Sequence, residues 1–328
     1  MPDRRRPHYA MPTSGQFRQM ASPATLTHIR TWSTLPTQWS RGLQRRARSI
    51  WRKGLEYDAR EFEQLAARFA RQCLAVGVLA DPLRQHRWLV TLRTLGFHAE
   101  AVTLAARWQA SVTSLSAEQL AELDVLHVRI QRVLQRVASL FEHDEQSLPR
   151  RIATNDSRLK AVLHWTRSLP NTARIADLGC GSGRFLQALH EVCATWRLIG
   201  VDLARTMMTE PPAGVAMAAG GMLCLPFADE SLDAVLSVEA LEHALRPRVA
   251  VNEMLRVLRP GGHLLIIDKH RSWQARCEHE PWECWFELPE VAGWLTPQAR
   301  IERCELLPAD GGEVPDGLFC LWTAVKHG

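Results

Sequence analysis

Apolar residues recur at two different periods along this chain, and the change falls close to Pro149. From Asp58 to about Asp144 the spacing is helical. Phe62, Leu65, Phe69, Cys73 and Val76 follow one another at i, i+3, i+4 intervals behind Asp58 and Glu61, a pair placed to form a capping box. Asp81-Pro82 reads as an N-cap followed by proline in the first turn, and Gly96 ends that second helix. A third helix is predicted through Ala99–Ala110. Ser116, with Gln119 three residues on, opens the longest one, whose Leu120, Leu123, Leu126, Ile130, Val133, Leu134, Val137 and Phe141 make one stripe. The pattern predicts an all-helical region of about four helices.

Beyond Pro149, short apolar runs alternate with amphipathic stretches, the signature of a parallel sheet with crossover helices. Strands are predicted at Arg174–Asp177, Arg197–Asp202, Leu232–Ser237 and His263–Asp268, with a late one at Leu318–Val325. The division expected is a tail (1–53), a helical domain (54–148) and an α/β domain (149–328). Leu264–Ile267 suits a buried strand and is far too short to cross a bilayer.

The first of these strands runs into Asp177-Leu-Gly179-Cys-Gly181-Ser-Gly183, and a helical pattern starts at Arg184. Glycines at such a turn let backbone approach a ligand, and the helix N-terminus favours negative groups. A dinucleotide needs Gly-x-Gly-x-x-Gly, but Arg184 stands where the third glycine belongs. Asp177, two residues before the first glycine, would repel a pyrophosphate and suits an ammonium, a charge-assisted contact of roughly 1.5–3 kcal/mol. Asp202, at the next strand end, is placed to accept ribose hydroxyls, which identifies an adenosine sugar and not the cofactor.

Four words in order, Asp177–Gly183, Ile199–Asp202, Leu225-Pro-Phe227 with Ser231-Leu-Asp233, and Arg256–Gly262, resemble the class I S-adenosylmethionine-dependent methyltransferases that act on small molecules, quinones and lipids. The likeness covers about residues 155–270 well and the remainder loosely. It implies an α/β fold: a Rossmann-like, doubly wound, mostly parallel sheet with an antiparallel C-terminal strand, preceded by the all-helical region. It also implies S-adenosyl-L-methionine as cofactor. Asp177 and the backbone of Gly179, Gly181 and Gly183 would face its methionine part, and Asp202 its ribose. Leu203, Met222 and Leu223 would flank the adenine, and Ser237 to Glu239 would lie beneath the sulfonium. The family often has an acid where this chain has Gly221. Losing that one bond to the adenine amino group weakens affinity by about 1 kcal/mol.

Glu242-His243 resembles the family's Glu-His word, so these two are the candidate catalytic residues, with His243 a base near neutral pH. The alternative is that both cap the turn or line the cleft passively. Asp268, Lys269 and His270 end a strand on the edge where open α/β sheets bind ligands. Trp273 to Trp294 holds four of the twelve tryptophans. It reads as a stacking platform for a sugar or other flat substrate, or as a lid packed on the core.

The net charge of +5 divides unevenly. Residues 1–53 hold eleven Arg and Lys against Asp3 alone, leaving 29 bases and 34 acids in the other 275 residues. The tail is expected to be disordered, with contact to a membrane surface or to RNA as alternatives. The rest is net acidic, which weighs against nucleic acid as partner. The eight cysteines form no Cys-x-x-Cys pair and no zinc spacing, pointing to reduced thiols, a cytoplasmic setting and no metal. The functional expectation is methylation, on oxygen, of a small-molecule, glycan or lipid-linked acceptor. An RNA methyltransferase and an inactive cofactor-binding partner protein remain open, as do packing, homodimerisation or substrate covering as roles for the helical region.

Overall fold

A computed structural model describes residues 59–75, 82–110, 117–142, 151–277, 279–280, 282–311 and 314–328. The readings made for the tail 1–53, Asp58, Val76, Asp81 and Ser116 lie outside these residues. Among the described residues four helices precede the sheet domain: α1 (Ala59–Ala75), α2 (Pro82–Thr94), α3 (His98–Ala110) and α4 (Ala117–Glu142). They pack because each carries one apolar stripe. Phe62, Phe69 and Cys73 of α1, Trp88 and Leu92 of α2, Leu104 of α3, and Leu123 and Ile130 of α4 are all buried. Gly96 stops α2 as expected: at φ +77° it lets the Phe97 N–H reach back to the Leu92 carbonyl at 2.8 Å.

The second part alternates helix and strand: α5 (Ser157–Trp165), β1 (Arg174–Leu178), α6 (Arg184–Val192), β2 (Arg197–Asp202), β3 (Val215–Ala219), β4 (Leu232–Val238), α7 (Pro247–Val257), β5 (Leu258–Lys269), α8 (Leu288–Leu295), β6 (Ala299–Leu306) and β7 (Phe319–Lys326). The strands form one sheet in the order β3-β2-β1-β4-β5-β7-β6, in which β7 runs opposite to the other six. This is the doubly wound, mostly parallel sheet with an antiparallel C-terminal strand that the sequence predicts, with helices preceding it among the described residues.

Each central strand is apolar on both faces because helices cover both. β4 is buried along its whole length. Ala176, Val235 and Ile266 pack toward Val251 and Met254 of α7, while Ile175, Leu236 and Leu265 pack toward α5 and α6. The described helices and the sheet cluster into one unit. Two strands escaped the sequence pattern. β3 is Val-Ala-Met-Ala-Ala, with little β propensity, and β6 is an exposed edge whose Arg300–Glu302 and Arg303–Glu305 pairs mask any apolar period.

Candidate active site

The strand order reverses between β1 and β4, so their carboxyl ends part and leave a crevice there. Ser237 Oγ bonds the Leu178 carbonyl at 3.1 Å and pins the two strands at that point. Past Leu178, Gly179, Gly181 and Gly183 all take positive φ, at +75°, +53° and +82°. A side chain at Gly179 would also collide: its Cβ would fall 2.3 Å from Ala240 Cβ and 2.9 Å from Met222 Cε. Glycine here is a requirement of both backbone and space.

Two carboxylates face this turn, in different circumstances. Asp202 is satisfied, its Oδ2 accepting the Gly181 N–H and its Oδ1 the Ala204 N–H, both at 2.8 Å. Burial still raises its pKa against the pull of those N–H groups. Asp177 is only 2 % exposed, and its Oδ2 has no hydrogen-bond partner. Burial, then the charge of Asp202, push its pKa up to about 7, with Arg184 pulling the other way. A buried acceptor left unpaired is costly, so a donor group is wanted at this position.

Further round the crevice, Leu203 is 42 % exposed and lies beside Gly221, whose Cβ position is open except for Leu203 Cδ1 at 3.9 Å. Met222 and Leu223 follow on the same loop, Leu223 buried. The sequence-predicted binding residues therefore converge on one crevice.

Glu239 needs separate treatment. It sits just past β4 at φ +53°, a strained conformation for a residue with a side chain. Its carboxylate is gripped by Arg158 of α5 and by Arg184 of α6, the latter at 2.9 Å. Arg158 is in turn held by Asp156, with Nε to Oδ1 at 3.0 Å, and lies over the Phe319 ring. Sequence reasoning missed both arginines as site residues. Arg184 was legible only as the residue that breaks the dinucleotide pattern, and Arg158 is brought in from a helix with no motif.

Glu242 and His243 follow in a short 3-10 turn, Leu241–His243. Glu242 is buried, with Oε1 2.7 Å from Lys269 Nζ and 3.2 Å from His243 Nε2. Its backbone N–H donates to Asp268 Oδ2 at 3.1 Å. Burial alone would raise the Glu242 pKa, but His243, Lys269 and Asp268 together hold it below the usual carboxylate range. Asp268, fully buried and next to that anion, has its pKa pushed well above the usual carboxylate range by burial and then by the charge of Glu242. His243 has carboxylates on both sides, Glu242 at Nε2 and Glu283 Oε1 at 3.9 Å from Nδ1. Burial lowers its pKa and these two acids more than reverse the effect, so the imidazolium is favoured.

The tryptophan segment lies over the same edge. The Cys284 N–H donates to the Glu242 carbonyl at 2.8 Å, and the Phe286 N–H to the Lys269 carbonyl at 3.0 Å. Trp282, Trp285 and Phe286 are each 1 % exposed, so they pack as core and offer no open face for stacking. Among the described residues no three His, Cys, Asp or Glu side chains group to hold a metal ion, and no helix is long and apolar enough to cross a membrane.

Residues 176–266, which span the glycine turn and strands β2 to β5, match the family model described as a methyltransferase domain. The chain carries a class I methyltransferase domain. Such domains are of the S-adenosylmethionine-dependent type, and the crevice fits that cofactor: it has an unpaired buried carboxylate for an ammonium, a cradle that a Cβ would fill, and open space beside Leu203. An uncharacterised methyltransferase of Mycobacterium leprae is 39% identical over 115 residues, which are 33% of this chain and 41% of that one. The malonyl-[acyl-carrier protein] O-methyltransferase of Methylococcus capsulatus is 38% identical over 101 residues, 29% of this chain and 37% of that one. A probable tRNA methyltransferase 9B of Homo sapiens is 35% identical over 123 residues, 33% of this chain and 25% of that one. The chain thus spans less than half the length of these relatives.

Proposed function

We propose that this chain is an S-adenosylmethionine-dependent methyltransferase that acts on oxygen of a small-molecule, glycan or lipid-linked acceptor. The observation that carries the donor half is the buried, unpartnered Asp177 carboxylate beside a triple-glycine turn at the point where strand order reverses. Asp177 would receive the ammonium of the donor's amino acid, and the backbone of Gly179, Gly181 and Gly183 would lie along it. Asp202 would accept from the ribose. Leu203, Met222 and Leu223 would wall the adenine, and Glu239 would stand at the methyl-bearing end. When bound, the cofactor supplies an electrophilic methyl group and a neutral thioether leaving group; the protein supplies orientation and exclusion of water.

The acceptor half rests on the edge formed by the ends of β4 and β5. His243 is the group we assign to the acceptor's proton, with Glu242 as the buried anion that holds it. An imidazolium must first lose its proton to act as a base, so this role needs a pH above its raised pKa. Isothermal titration with S-adenosylmethionine tests the donor half, and absence of heat at millimolar cofactor overturns it. A screen of small-molecule, glycan and lipid-linked acceptors with methyl-labelled cofactor tests the other half.

A second reading is favoured by the tRNA methyltransferase names among the relatives and by the basic residues 1–53. An RNA enzyme should lose affinity and salt dependence when residues 1–53 are deleted, whereas a small-molecule enzyme should keep its turnover.

A further inference from the structure

The four helices meet the sheet beside the donor crevice. Gly96 turns the chain between α2 and α3 with its Cα against Val249, so that a Cβ there would fall 2.2 Å from Val249 Cγ1 and 3.2 Å from the Leu223 carbonyl oxygen. Two residues later His98 places Nε2 at 3.2 Å from that same carbonyl and 3.4 Å from Glu253 Oε1. A carbonyl can only accept, so Nε2 carries the proton and donates it.

The loop that receives this bond is held just as closely from the other side. Glu253 Oε2 accepts the Leu225 N–H at 3.0 Å. Arg256 grips both oxygens of Glu253 at 2.8 Å and donates to the Phe227 carbonyl at 2.9 Å. The seam is locked by Arg246 at the start of α7, which pairs with Glu63 of α1 at 2.7 Å, bonds the Leu95 carbonyl and lies 3.9 Å over the Phe97 ring. On the opposite wall, α4 packs against the turn Arg205–Met208 that follows Leu203. The helices thus stand behind both walls of the space next to Gly221: the Met222-Leu223 loop and the Leu203 turn.

We propose that His98 is a positioning residue for the methyl donor, and that the helical region sets nucleoside affinity by bracing the Leu223 loop. Nothing in its sequence marks the helical region as part of a binding site. The inference rests on the donor reading of the crevice given above. His98 sits behind Leu223 and acts through that carbonyl. Losing the bond lets the loop drift and leaves the carbonyl unpaired, while the acidic end of the crevice at Asp177 is untouched.

The test is titration calorimetry of the full chain with S-adenosylhomocysteine and, separately, with 5′-methylthioadenosine, which lacks the amino-acid end. His98→Ala is expected to raise the Kd of both by the same factor, about five-fold. His98→Gln, which keeps an N–H donor, is expected to restore most of it. Hydrogen exchange of the Leu225 amide provides a ligand-free readout and should quicken in His98→Ala but not in His98→Gln. Unchanged Kd for both nucleosides in His98→Ala overturns this inference alone. Absence of binding by the unaltered protein overturns the donor reading with it.

Discussion

Asp202, at the end of β2, accepts the backbone N–H of Gly181, in the turn after β1, at 2.8 Å. One carboxylate thereby holds the glycine turn in shape while Asp177, 25 positions earlier in the chain, is left with an oxygen that nothing satisfies. The two acids differ in circumstance: Asp202 braces the turn, while Asp177 keeps a buried oxygen without a donor.

On the proposed donor reading, Asp177 should make binding pH-dependent. Its carboxyl is held near pKa 7 by burial in the free protein, and an ammonium beside it would bring the pKa down. The free site must therefore lose a proton on binding below about pH 7. Donor Kd should fall about ten-fold per pH unit between pH 5 and 7 and level off above. Calorimetry across this range checks it, and Asp177→Asn should abolish the slope.

The same residue affects stability with a definite sign. Its folded pKa lies above the unfolded value of 3.8, so the native state binds the extra proton between the two, and stability declines as pH rises through about 7. Replacing it by the neutral isostere should raise the melting temperature of the ligand-free protein at pH 8 and change it little at pH 4. Thermal unfolding at the two pH values decides this.

Gly221 leaves room that an acid can use. Its Cβ would touch nothing nearer than Leu203 Cδ1 at 3.9 Å, and its φ lies outside the left-handed region. Gly221→Asp should tighten binding of S-adenosylhomocysteine by about five-fold if its carboxylate reaches the adenine amino group. An unchanged Kd would remove Gly221 from the adenine side of the crevice.

Gly179 has no such room. Alanine there would carry φ +75°, costing about 1–2 kcal/mol, and would overlap Ala240 Cβ at 2.3 Å. Gly179→Ala should lower the melting temperature and eliminate donor binding, whereas Gly293→Ala, in open space on α8, should do neither.

His243 should titrate above its ordinary value of 6.5 because Glu242 and Glu283 outweigh its burial. NMR titration of its ring protons should show a midpoint above 6.5, and Glu283→Gln should bring that midpoint down. A folded pKa above the unfolded one also means that the ion-pair stability is present below pH 6.5 and lost as pH rises through the folded value. A midpoint that ignores Glu283 would separate His243 from this cluster.

Periodicity and motif spacing determined much of this protein by themselves. The four-helix region, four of the six parallel strands, a last strand near the chain end and the glycine turn with its two acids are all local patterns, set by alternation of apolar residues and by backbone freedom at Gly179–Gly183. The antiparallel sense of the last strand followed instead from the family resemblance. Only the tertiary structure decided who meets whom. It joined Arg158 and Arg184 on Glu239, turned Glu242 inward onto Lys269, buried Trp282 and Trp285, and set His98 behind Leu223, 125 residues away. Charge pairing, desolvation and packing depend on neighbours brought together by the fold, and a period along the chain carries no record of them.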